Sequence, residues 1–154
     1  MGDLDKYIQK ISNLDVAIEN ALNDEGREVV KKVLVEAARK YVYDAYAPKF
    51  NHRRNGSDGI LDEENIHVAV HGNELIAMDM ADWQHLLGGA KPNMRLAEGI
   101  ASGSSRFYMQ NAGPRPFHEK AKEMLIMRGD LEDAVRRGLA RQGYDTSGIK
   151  FKFI

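Results

Sequence analysis

Arg27-Glu28-Val29-Val30-Lys31-Lys32-Val33-Leu34-Val35-Glu36-Ala37-Ala38-Arg39-Lys40-Tyr41 is the stretch that decides the fold. Val29, Val30, Val33, Leu34, Ala37 and Tyr41 recur at steps of three and four, the spacing that lines one side of an α-helix. Glu28, Lys32, Glu36 and Arg39 fall on its other faces. The pattern reaches back to Leu22 and forward to Ala45. Pro48 supplies the stop, because a proline disfavours helical backbone at the residue before it, here Ala47. A helix from about Leu14 to Tyr46 would be roughly 50 Å long at 1.5 Å per residue, more than a compact core of this size covers. Two arrangements answer that length. Either part of the helix faces another subunit, or it kinks near Asn23 to Gly26, where Gly26 costs about 1 kcal/mol against alanine.

Upstream, Leu4, Ile8 and Ile11 share one stripe and predict a short amphipathic helix. Ser12, with Asp15 three residues on, predicts a cap and a fresh helix start. Downstream, Ile66 to Val70 and Leu75 to Met80 predict a β-hairpin turning at Gly72-Asn73. A three-residue loop through Glu74 pairs Val70 with Ile76, Val68 with Met78 and Ile66 with Met80, which gathers the apolar residues on one face. A two-residue loop leaves both faces mixed, so the longer loop is the expectation. Leu96 to Ile100 and Phe107 to Met109 read as short strands or turns in a glycine-rich interval. Pro116 opens a helix to about Arg128, since its missing amide would be unpaired there anyway. Asp130 caps another, which ends at Gly143 after Arg136, Arg137 and Arg141. Ile149-Lys150-Phe151-Lys152-Phe153 alternates apolar and basic residues and predicts a final strand. The expected fold is α+β in one domain, residues 1–154: a long N-terminal helix on a small antiparallel sheet, C-terminal helices and a final short strand.

Composition excludes several classes. With no cysteine there are no disulfides, thiolate metal sites or cysteine nucleophiles. Acidic residues number 23 and basic residues 22, so net charge gives the molecule no reason to seek nucleic acid or anionic lipid. The first residues carry no basic and apolar leader, and no 18-residue apolar run occurs, so neither export by a signal peptide nor a membrane span is expected.

Candidate chemistry is thin. His67 and His71 sit on an expected strand, where four residues separate them by about 13 Å, too far to share one ion. Gly99-Ile100-Ala101-Ser102-Gly103-Ser104-Ser105 has the composition of a phosphate loop but lacks the Gly-Lys-Ser/Thr ending. No nucleophile elbow and no Ser-x-x-Lys occurs. No catalytic residue, cofactor or metal is therefore expected. The polar interval from Pro48 to Glu64 stands out instead, because structureless loops beyond about 12 to 15 residues are uncommon in compact domains unless functional or disordered. Lys49, His52, Arg53 and Arg54 open it; Asp58, Asp62, Glu63 and Glu64 close it. That split of sign suits a loop that pairs with its copy in an adjacent ring subunit. A solvated, disordered loop fits the same composition.

Two segments resemble a known family. Tyr41-Val42-Tyr43-Asp44-Ala45-Tyr46-Ala47-Pro48, followed by His52-Arg53-Arg54, looks like the tyrosine-rich helix end and basic turn of phage minor tail proteins. Ala112-Gly113-Pro114-Arg115-Pro116-Phe117 is similar to the segment preceding the last helix in tail-completion, or head-to-tail joining, proteins of long-tailed phages. Tyr46, Pro48, Arg115, Pro116 and Phe117 carry the likeness. The resemblance implies a non-enzymatic virion component, made in the cytoplasm of the bacterial host, that forms or joins a ring at the neck. Its partners would be further copies of itself and other tail, connector or neck proteins. It would contact neither membrane nor specific nucleic acid, although the resemblance allows the assembly to surround DNA. Independently of that likeness, Pro114 and Pro116 hold the chain extended so that Phe117 anchors a helix in the core. The competing reading is a small nucleic-acid-associated protein with Arg136, Arg137, Arg141, Lys150 and Lys152 as its basic patch.

Overall fold

The computed structural model describes residues 2–45, 59–84, 90–103 and 114–152. Helix α1 spans Asp3–Ala21. It passes straight through Ser12, so the break expected there does not occur. The start is Gly2 instead, whose backbone N–H donates to the Asp5 carboxylate at 3.1 Å. A π-helical turn, Leu22–Gly26, then leads into α2, Arg27–Ala38, and a second such turn, Arg39–Tyr43, ends the run. The widened backbone thus falls where the sequence allows a kink, at the glycine.

Hairpin strands β1, Ile66–His71, and β2, Glu74–Asp79, follow a 3-10 turn at Glu63–Asn65. Only Gly72 and Asn73 separate them, with Gly72 at a φ of 58°. The Met80 amide donates to Asn65 O at 2.7 Å, extending the same two-residue register beyond the strands. The three-residue loop expected from the sequence is therefore incorrect. Its premise was one continuous apolar face, whereas Ile76 and Met78 are exposed and the buried face of β2 ends in Asp79. A second antiparallel pair, β3 (Asp82–Gln84) and β4 (Ala90–Arg95), sets Asp82 against Arg95 and Gln84 against Ala90 with an irregularity between. Leu96–Ser102 is a helix, α3, rather than a strand or turn. Phe107 to Met109 lies outside the described residues.

Helices α4, Phe117–Arg128, and α5, Asp130–Arg141, match the expected pair closely. Gly129, in the left-handed region at a φ of 70°, occupies the cap position expected of Asp130, whose carboxylate instead joins the first turn at the positive end of the helix dipole. Gly143, at 85°, closes α5 by donating to Ala140 O. The final strand is not formed among the described residues: Ile149 to Lys152 run as irregular chain.

The chain gathers into two compact units. One comprises residues 1–30, 68–76 and 125–154, and its core joins Ala17, Ala21 and Leu22 to Val135 and Leu139, with Leu14, Ile18, Val70, Leu75 and Leu131 packed around them. Helix α1 thereby packs on α5 and on the hairpin, and Arg27 donates to Val68 O at 2.7 Å. The other comprises residues 31–67 and 77–124, with Ala38, Val42, Ile60, Ala81, Ala97, Ile100 and Phe117 as its core. The α+β class is the observed one.

Candidate assembly surfaces

Of the charged loop residues, Lys49, His52, Arg53, Arg54 and Asp58 lie outside the described residues, as do Tyr46 and Pro48. The acidic end is a built structure. Asp62 Oδ1 accepts the Glu64 amide at 3.0 Å, Asp62 O accepts the Asn65 amide at 3.1 Å, and Asn65 Nδ2 donates to Gly59 O at 3.1 Å. Lys31 Nζ donates to Glu63 O at 3.2 Å, fixing the turn to the helix. Glu63 and Glu64 themselves stay exposed, so two carboxylates are displayed on a held backbone.

The Arg115-Pro116-Phe117 segment has the structural role that its chemistry suggests. Phe117 is 1% exposed. The Arg115 amide donates to Ile100 O at 3.1 Å, and Pro116 O accepts Lys120 N–H at 3.1 Å as the first bond of α4. His118 lies with its ring centroid 4.0 Å from that of Phe117. Burial lowers its pKa, partly opposed by the Glu98 carboxylate.

The basic patch is largely committed elsewhere. Arg136 bridges Glu132 at 2.7 Å, donates to Thr146 O and, at 2.6 Å, to Ile149 O, and lies 5.4 Å from the Phe151 ring centroid. Arg141 reaches Asp24 and Glu25, each at 2.9 Å. Only Arg137, Lys150 and Lys152 of the five remain as exposed cations without a described ion pair.

A surface that charge patterning misses lies on α1. Leu4, Ile8 and Ile11 are 70%, 56% and 45% exposed. They continue the stripe that Ile18 and Leu22 bury against α5 and the hairpin, but in the first half of the helix nothing described covers it. The sequence identifies the stripe as amphipathic; it carries no sign that the covering elements stop short.

Among the described residues no group of three or more His, Asp or Glu is placed to hold a metal ion, and His67 and His71 are both exposed on β1. Gly99 to Ser102 belong to α3, which follows β4 directly and ends at the left-handed Gly103, so these described residues form a helix and not a loop between strand and helix. No described helix is long and apolar enough to cross a membrane. Neither the curated proteins nor the solved structures hold a match to this chain. A family model does match, over residues 1–141, which takes in everything from α1 to the end of α5: the chain belongs to the YomN family, a phage-associated family.

Proposed function

We propose that the chain is a non-enzymatic structural component of a phage virion, a minor tail or tail-completion protein that acts at the head-to-tail junction by assembling with further copies of itself into a ring. The observation that carries this reading is the exposed stripe Leu4, Ile8 and Ile11. Aliphatic side chains set in register on a rigid helix are costly to leave in water, and each one covered contributes about 1.5–3 kcal/mol if fully buried. A second support is the acidic turn, half-buried at Asp62 and exposed at Glu63 and Glu64, which offers a partner to Lys49, His52, Arg53 and Arg54 of a neighbouring copy. Membership of a phage-associated family and the likeness of the Arg115-Pro116-Phe117 segment to head-to-tail joining proteins point the same way.

Deleting the gene from the phage that encodes it and examining lysates by electron microscopy tests the reading. Separate DNA-filled heads and free tails are expected. Intact, infectious particles in normal number would overturn it.

A further inference from the structure

Asp79 ends β2 and is 4% exposed, the buried charged side chain among the described residues. Its Oδ1 accepts the Ala81 amide at 2.9 Å. Oδ2 is buried too and has no hydrogen-bond partner among the described residues. The residue between, Met80, donates its amide to Asn65 O, so the corner leaving β2 is tied to the turn that carries Asp62. Ile60, Ile66 and Ala81, all within a few residues of these bonds, are 1–2% exposed and supply no polar atom from their side chains. Among the described residues the charged group that acts on Asp79 is the Asp62 carboxylate, and it repels.

A carboxylate needs donors for both oxygens or access to water, and this one has a single donor. Desolvation, with Asp62 adding to it and the Ala81 amide opposing, raises its pKa from 3.8 to about 6. The neutral acid leaves a hydroxyl without an acceptor, but the anion leaves a charged oxygen unsolvated, which costs more, so the closed corner favours the neutral form. Opening the Met80–Asn65 contact is the direct way to bring water to it.

We infer that Asp79 makes this corner a proton-held catch, closed on the Gly59–Asn65 turn when the carboxyl is protonated and loosened when it ionises. The sign follows from the direction of the shift. The closed state binds the proton more tightly than the open one, so its stability falls as pH rises from the ordinary carboxylate range to about 6 and levels off above it. At neutral pH the acidic turn is then held less firmly than its hydrogen bonds suggest. The inference concerns the corner alone and holds whether or not the protein enters a virion.

Hydrogen exchange at the Met80 amide of the full chain, corrected for the intrinsic rate, reads the opening directly. Between pH 5 and pH 7.5 the opening constant is expected to rise about tenfold in the natural protein, the factor left from a shift of this size. Asp79→Asn, which keeps the acceptor for Ala81, should abolish the rise. Asp62→Asn, which keeps the cap on Glu64, should move its midpoint to lower pH. A Met80 opening constant independent of pH, the same rise in Asp79→Asn, or an unmoved midpoint in Asp62→Asn would each overturn the catch.

Discussion

Gly138 of α5 lies against Glu25 so closely that a Cβ at position 138 would stand 2.5 Å from Glu25 Oε2 and 2.7 Å from the Ala21 Cβ. Glu25 is held there by Arg141, one turn along α5 from Gly138, and its Oε2 is buried without a hydrogen-bond partner among the described residues. The absent side chain is what lets α5 approach α1 and the π-helical turn. Gly138→Ala should therefore destabilise the unit by about 1–3 kcal/mol, the usual cost of overfilling a close contact, despite alanine's better helix propensity. Urea unfolding checks it. An unchanged or raised midpoint would mean that the contact yields freely.

Arg136 holds the chain after α5 in place of the strand that the sequence suggests. Its guanidinium serves Thr146 O, Ile149 O and Glu132 at once, a forked geometry that lysine does not reproduce. Arg136→Lys should weaken the tail nearly as much as Arg136→Ala. Both should speed proteolysis between Tyr144 and Lys152 and cost about 1–3 kcal/mol in unfolding. Protection equal to that of the natural protein in the lysine variant would show that charge alone suffices.

Phe117 is the anchor of the other unit. Phe117→Ala should cost about 3–5 kcal/mol, since it removes a fully buried ring and leaves a cavity. Thermal unfolding reads this, and a loss below about 1 kcal/mol would contradict the anchoring role.

In the proposed assembly the exposed α1 stripe serves contact between molecules and not folding. Ile8→Lys is expected to leave the unfolding free energy within about 0.5 kcal/mol, because the side chain is more than half exposed. Complementation of a deletion phage by the same variant should fail. A variant that both folds and complements would remove the stripe from the assembly surface.

Periodicity made most helices legible. The α2 stripe, the proline before α4 and the glycine after α5 all state local chemistry that the rest of the protein does not override. Ser12 misled because a capping preference worth about 1 kcal/mol does not by itself break a helix whose backbone bonds continue through it, as those of α1 do. The hairpin register misled because β2 buries Asp79 and exposes Ile76 and Met78, and an apolar-face rule has no place for a buried carboxylate. Strand β4, with Pro92 and Asn93 inside it, has no strand signature of its own. Of the surfaces, the acidic end of the charged loop was visible as a run of carboxylates, while the committed state of Arg136 and Arg141 depends on partners far along the chain. The exposure of Leu4, Ile8 and Ile11 depends on where other elements end.

Quantitative mass spectrometry of phage particles purified through a density gradient is the most direct measurement of the proposed function. The account predicts that the chain is present in several copies per particle, at a constant ratio to the portal protein. Particles free of the chain, from cells in which it is abundantly made, would contradict it.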